Sequence, residues 1–222
     1  MFKYLGITGA PACGKSYFSK MVVEVCKEYF IEVHHIDFDK LAHDIYVDDY
    51  MGVCYKIKEQ WNGVVKVNNL NTWIQSATVD RKKLGEIVFN NPGCLSTLDD
   101  IMKEPMKCKI KETLKDKTGL ILMDCALMAE HKLFDYCGGK CVVIDVPKEI
   151  QHKRLKERGL SDDFIENMLG SQLLSKGKMK RLVDNDVNVW YEDLYHKRKP
   201  TVQKLVIRNI LRNLVFNEGD LL

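Results

Sequence analysis

GAPACGKS, residues 9 to 16, is the most informative stretch of this chain. It fits the phosphate-binding loop pattern G-x-x-x-x-G-K-[ST], which forms a site when it connects a strand to a helix. Residues 4 to 8, YLGIT, are an apolar run typical of a short buried strand. After the loop, apolar side chains recur at helical spacing, at Phe18, Met21, Val22, Val25 and Tyr29. This order predicts a site for a nucleotide polyphosphate; the alternative is an ordinary glycine turn before a helix.

The residue types of the loop suit a polyphosphate. Backbone N–H groups at a helix N-terminus supply fixed partial positive charge for an anion. Gly9 and Gly14 allow the backbone to turn and to approach the ligand closely, because neither carries a Cβ. Lys15 can reach the β- and γ-phosphates, and Ser16 offers a hydroxyl to Mg²⁺. The loop therefore predicts nucleotide binding but does not identify the reaction.

Composition narrows the class of protein. The chain has 222 residues, 45% of them hydrophobic, which suits one compact domain or a core domain with an inserted subdomain. The net charge of +3 is too small to indicate a nucleic-acid partner, and we expect none. We expect no signal peptide, and the sequence contains no apolar run long enough for a membrane span. We therefore expect a cytoplasmic protein with no membrane partner, either a monomer or a weak homo-oligomer.

The eight cysteines include no Cys-x-x-Cys pair, so the spacing gives little support to a zinc site or a thioredoxin-type motif. In a reducing compartment, thiols in apolar stretches pack as small hydrophobic groups. Cys13 lies inside the phosphate loop, where oxidation of its thiol could matter.

Strand-like and helix-like segments alternate along the chain, which predicts an α/β fold with a mainly parallel sheet. The five expected strands, beginning with the one before the loop, are residues 4–8, 33–36, 120–123, 141–146 and 187–189. Between the second and third lies a long stretch without a convincing strand. We expect a helical insertion over residues 40–117, suited to binding an acceptor, with turns at Asn62-Gly63 and Asn68-Asn69. Residues 148–183 are expected to form a lid.

Two aspartates follow the second strand in the run IDFDKLAH, residues 36 to 43. Parallel sheets bind ligands at the carboxyl ends of their strands, and Asp37 and Asp39 lie at such an end. One of them can help to hold Mg²⁺ through water, and the other can accept a proton from an attacking hydroxyl. The alternative for Asp39 is a helix N-cap and nothing more.

These blocks together resemble the dephospho-coenzyme A kinase family, over roughly residues 4 to 190. GITGAPACGKS at 6–16 is similar to the family's G-L-T-G-G-x-x-S-G-K-S, and IDFDKLAH is similar to its more specific I-D-A-D-x-x-A-H. Further similar blocks are residues 80–92, residues 124–130 and the run from Val143 through Gln151 to Arg158. The resemblance implies a P-loop kinase with a five-stranded sheet, a helical acceptor insertion and a lid. It implies transfer of the γ-phosphate of ATP, with Mg²⁺, to the 3′-hydroxyl of dephospho-coenzyme A, the final step of coenzyme A biosynthesis.

The resemblance also implies roles for individual residues. Asp39 corresponds to the catalytic base, Lys15 to the phosphate-binding lysine, and Arg154 and Arg158 to lid cations. Arg81 and Glu130 would contact the acceptor, although each could equally serve as a structural partner. The implied nucleotide contacts are Gly9, Pro11, Ala12, Cys13, Gly14, Lys15, Ser16 and Asn188, and the implied metal ligands are Ser16 and Asp37.

The chain departs from the family pattern at Glu104-Pro105, where the family has His-Pro, and at Trp190, where it has a glycine. Trp190 could stack on a base or pack in the core. Two other functions remain open: a kinase on the same scaffold that acts on a nucleoside or nucleoside monophosphate, and a regulator that binds ATP without transferring phosphate.

Overall fold

The computed structural model describes residues 3–71, 74–194 and 199–216, and for residues 67–71 and 74–76 it describes the backbone only. These residues form two compact units, one made of the chain up to Phe38 and from Lys117 onward, the other of Asp39–Asp116. None of the described helices combines the length and apolar character needed to cross a membrane.

The first unit is built on a five-stranded parallel sheet in the order β2-β5-β1-β6-β7. Its strands are β1 (Lys3–Gly9), β2 (Val33–Asp37), β5 (Leu120–Asp124), β6 (Lys140–Asp145) and β7 (Asn188–Asp193). The helices of this unit are α1 (Lys15–Glu28), α6 (Lys148–Glu157), α7 (Asp162–Gly170), α8 (Ser175–Val183) and α9 (Pro200–Leu214). The predicted α/β class and five-stranded parallel sheet are confirmed. Four of the strands begin and end within about two residues of their predicted bounds, as single-sequence reasoning allows.

A continuous apolar core joins the central strand to two helices. Leu5 and Ile7 of β1 are fully buried against Phe18 and Val22 of α1 and against the inward face of α9. That face consists of Gln203, Ile207, Ile210, Leu211 and Leu214. Val202 and Leu205 of the same helix do not face this core, since they are 44% and 53% exposed.

A set of sulfur atoms packs beneath β1. A Cβ added at Gly6 would lie 2.6 Å from Met128 Sδ and 2.7 Å from Cys141 Sγ. Only glycine fits at this point of the strand, because contacts below 3 Å force a neighbour to move.

The second unit contains α2 (Phe38–Val47, entered from β2), a short 3₁₀ turn (Tyr50–Gly52), α3 (Val53–Gln60), β3 (Val65–Asn71), β4 (Ile74–Val79), α4 (Arg81–Val88) and α5 (Pro92–Leu114). Side chains cap the starts of α4 and α5: Asp80 accepts a hydrogen bond from the Lys83 N–H, and Asn91 accepts from the N–H groups of Gly93 and Cys94. Glu104 pairs with Lys107 on the surface of α5, at 2.8 Å.

The insertion is mainly helical, but the expectation that it contains no strand is wrong. Strands β3 and β4 form an antiparallel hairpin, in which Val65 pairs with Val79 and Val67 with Ala77. Asn68 and Asn69, which predicted a turn, belong to β3. The pattern VKVN alternates apolar and polar residues with the period of a strand that is buried on one face only.

Candidate active site

The phosphate loop begins where β1 ends, and its first glycine is required by the packing there. Gly9 has a φ of +156° and pairs with Ile144 of β6. A Cβ at Gly9 would lie 2.3 Å from the Ile144 carbonyl oxygen and 2.7 Å from Cys13 Sγ. The loop can therefore leave the sheet only with a glycine at this position.

The loop ends at the N-terminus of α1, which is arranged to receive an anion. Gly14 is the N-cap, in a left-handed conformation with a φ of 105°, and it makes no side-chain capping hydrogen bond. The first turn of α1 contains no acidic residue. The free N–H groups of this turn, with the positive end of the helix dipole, favour a negatively charged ligand.

Lys15 folds back over the loop that it follows. Its ammonium group donates to the carbonyl oxygens of Gly9 at 3.3 Å and Ala10 at 3.4 Å. The Lys15 charge is thus held against the loop, where a polyphosphate would meet it.

Arg154 of α6 reaches the middle of the loop. Its Nη1 donates to the Ala12 carbonyl oxygen at 2.9 Å, and Ala12 itself packs with Leu155, Ile165 and Leu169 of α6 and α7. The structure therefore brings Arg154 to the predicted phosphate site. Arg158, the residue after α6, is exposed and caps the helix through its N–H to the Leu155 carbonyl oxygen.

An acidic residue that we did not single out from the sequence lies at the same edge of the sheet. Asp124 ends β5, is 5% exposed, and accepts a hydrogen bond from Ser19 Oγ at 3.0 Å. His35 Nε2 lies 3.8 Å from its carboxylate. The sequence signal was available, since LILMD is a buried apolar strand that ends in an acidic residue next to the central strand.

The oxygen donors at this edge fit Mg²⁺. Asp37 pairs with Asp124 across β2 and β5, and the Ser16 hydroxyl is exposed in the first turn of α1. Mg²⁺ takes hard oxygen ligands, commonly one or two carboxylates together with water and phosphate oxygens. Ser16, Asp37 and Asp124 are residues of that kind.

Cys13 is fully buried in the loop. Burial raises the pKa of its thiol, and the opposing effect of the Lys15 charge is smaller. The thiolate is the reactive form, so Cys13 is protected from oxidation at neutral pH.

Asp39 and Arg81 lie in the second unit. Asp39 is the second residue of α2, which starts directly after β2. Arg81 is the first residue of α4 and is exposed. Burial raises the pKa of the Tyr46 phenol to about 12, and the positive charge of Arg81 partly opposes this rise.

Asn188 does not lie near the loop, and the prediction that it contacts the nucleotide is wrong. It is the first residue of β7 and pairs with Lys140, the first residue of β6, whereas the loop follows the last residue of β1. Asn188 is therefore at the opposite edge of the sheet. We expected the strand to end at residue 189, but it continues to Asp193.

The residues that follow β7 reach the loop instead. A Cβ at Gly14 would lie 3.3 Å from Leu194 Cδ1. Trp190 packs against the core, and its indole N–H donates to Glu192 at 3.2 Å, so the structure favours the packing alternative for this tryptophan.

Glu130 serves as a structural partner. Its carboxylate forms an ion pair and hydrogen bond with Lys178, whose side chain is 0% exposed, and accepts the Leu173 N–H at 3.0 Å. Of the two alternatives for Glu130, these contacts support the structural one over acceptor binding.

The comparisons with known proteins agree with this geometry. A model of the family described as dephospho-CoA kinase matches residues 3–190. The chain belongs to the dephospho-CoA kinase family. The dephospho-CoA kinase of Fusobacterium nucleatum is 30% identical over 198 residues, which cover 87% of this chain and 93% of that protein. That of Campylobacter jejuni strain RM1221 is 32% identical over 179 residues, covering 79% of this chain and 82% of the other.

Two solved structures share the fold of this chain. TT1252 from Thermus thermophilus has a TM-score of 0.63 at 20% identity, covering 96% of this chain and 97% of that one. The dephospho-CoA kinase from Campylobacter jejuni has a TM-score of 0.57 at 24% identity, with the same coverage.

The predicted family, the kinase class and the cofactors ATP and Mg²⁺ are confirmed by the family match. The family catalyses the final step of coenzyme A biosynthesis, which is the predicted function.

Proposed function

We propose that this chain carries out its family's reaction through its own phosphate loop: the γ-phosphate of ATP passes to the ribose 3′-hydroxyl of dephospho-CoA, giving CoA and ADP. The observation that supports this most strongly is the open N-terminus of α1 behind Gly14, with Lys15 held over the loop, in a chain of this family. The ligand's phosphates take the place of the carbonyl oxygens that now hold Lys15.

The cationic and metal-binding residues act on the transferring phosphate. Ser16, Asp37 and Asp124 would hold Mg²⁺, and the bound ion would supply positive charge to offset the negative charge of the polyphosphate. Arg154, already on the loop at Ala12, turns its remaining N–H groups toward the phosphate, and Arg158 adds a second cation from the same segment. The proposed lid comprises residues 148–183, and within it the Ser175 hydroxyl of α8 donates to the Ile144 carbonyl oxygen of β6.

Asp39 acts as the general base, and residues 39–116 bind the acceptor, with Arg81 as a contact. Asp39 takes the proton of the 3′-hydroxyl while that oxygen attacks the γ-phosphorus and ADP leaves. The position of Asp39 in the first turn of α2, immediately beyond the strand that ends in Asp37, supports this role. The protein works in the cytoplasm on a small-molecule substrate, as a monomer or weak homo-oligomer.

An acceptor panel tests the proposal. The purified chain is given ATP and Mg²⁺ with dephospho-CoA, adenosine or AMP, and ADP release is followed for each acceptor. Acceptor-dependent ADP release with dephospho-CoA alone is the expected result. Faster turnover of adenosine or AMP would favour the nucleoside or nucleoside monophosphate kinase, and ATP binding without acceptor-dependent release would favour a regulator.

A further inference from the structure

A buried serine ties the phosphate loop to the sheet and to α8. Ser175, the first residue of α8, is 1% exposed. Its Oγ donates to the Ile144 carbonyl oxygen at 2.8 Å and accepts the Ala10 N–H at 3.3 Å. Ile144 is the β6 residue against which Gly9 packs. One hydroxyl therefore joins the end of β6, the start of the loop and the start of α8.

One helical turn later, a buried lysine makes a second connection. Lys178 is 0% exposed, and its ammonium group donates to the Ala126 carbonyl oxygen at 2.7 Å and to Glu130. Thr8, near the end of β1, donates to the same Ala126 carbonyl oxygen at 3.2 Å. Lys178 therefore fixes the segment after β5 relative to the strand that carries the loop.

The two connections act on the end of β1 and on the start of the phosphate loop. Burial lowers the pKa of Lys178, the Glu130 carboxylate opposes this, and the charge of Lys15 lowers it further. The positive charge of Lys15 therefore exerts a repulsion on the buried ammonium group of Lys178. An anion held by Lys15 would relieve that repulsion.

We propose that the first turn of α8 holds the phosphate loop in its anion-binding shape, with Ser175 and Lys178 as positioning residues. The Ala10 N–H is committed to Ser175, so the anion is bound by the amides further along the loop. Because these amides need a fixed direction before the ligand arrives, loss of the Ser175 hydroxyl weakens polyphosphate binding without removing any group that touches the ligand. This inference rests on the proposed function in one respect only: it assumes that the ligand is a nucleotide polyphosphate.

The first test compares Ser175→Ala with Lys176→Ala, an exposed neighbour on the same helix. Calorimetry gives the Kd of ADP and of inorganic tripolyphosphate well below the unfolding temperature of each variant. Ser175→Ala leaves two buried backbone groups without their partner, and we expect both Kd values to rise about tenfold. Lys176→Ala should bind both ligands as the wild type does. A lower Tm for Ser175→Ala with unchanged Kd values would show a merely structural serine and overturn the proposal.

The second test replaces the buried pair in the double variant Lys178→Met/Glu130→Gln, which leaves no uncompensated buried charge. We again expect weaker binding of both ligands by about tenfold. Weaker binding of ADP with unchanged binding of tripolyphosphate would show that the variant affects contacts with the adenosine part of ADP. That result would contradict the inference. Failure of the wild type to phosphorylate dephospho-CoA, with ADP binding and both variant effects intact, would reject the proposed function and leave this inference standing.

Discussion

Gly9→Ala is expected to damage both the stability of the fold and the phosphate site. The added Cβ would lie 2.3 Å from the Ile144 carbonyl oxygen, and the backbone would have to keep a φ of +156° that side chains disfavour. The φ contributes a strain of about 1–3 kcal/mol, and overpacking against a fixed backbone atom costs another 1–3 kcal/mol or so. Ile144 cannot move away freely, because the same carbonyl oxygen accepts the Ser175 hydroxyl.

Urea unfolding followed by circular dichroism measures this effect, and we expect a loss of about 4 kcal/mol in the free energy of unfolding. The matched control is Gly170→Ala, at the end of α7, where an added Cβ meets nothing within 4 Å. That control should change stability by less than about 1 kcal/mol. Equal unfolding midpoints for Gly9→Ala and the wild type would refute the argument that this position admits only glycine.

Three further predictions concern the site. Lys15→Met removes the cation held over the loop and should lower kcat by roughly 10²–10³-fold in steady-state assays, with an unchanged circular dichroism spectrum; a loss below tenfold would contradict its assigned role. Arg154→Met should lower kcat by about 10²-fold while the exposed Lys153→Met does not, and equal rates for the two would remove Arg154 from the site. Because its raised pKa keeps Cys13 protonated at pH 7, iodoacetamide should alkylate the half-buried Cys94 and Cys108 first; early loss of unmodified Cys13 by mass spectrometry would show that burial does not protect it.

The parallel sheet could be predicted from sequence because its strands are buried on both faces and appear as continuous apolar runs. The residues Leu120–Asp124 are all buried, and the run LILM is visible in the sequence. The hairpin β3–β4 could not be recognised as easily, since half of its residues are polar and asparagine occurs inside β3. Asparagine favours turns, and only the pairing with β4 shows that Asn68 and Asn69 belong to a strand.

The phosphate loop was predictable residue by residue, because its chemistry depends on neighbours in the chain. The role of Glu130 could not be predicted in this way, because it depends on a residue far away in the chain. Its partner Lys178 lies 48 residues away, and nothing in either segment indicates the pairing. Asn188 was misplaced because the edge of the sheet at which a residue lies depends on where its strand ends.

In the proposed reaction, Lys15 and the loop around it present the γ-phosphate of ATP to dephospho-CoA. The most direct measurement is phosphorus NMR of the product formed from ATP, Mg²⁺ and dephospho-CoA by the wild type, alongside Lys15→Met. We expect a new phosphomonoester on the ribose 3′-oxygen with the wild type and almost none with the variant. A phosphate on any other oxygen, or equal yields from the two proteins, would contradict the account.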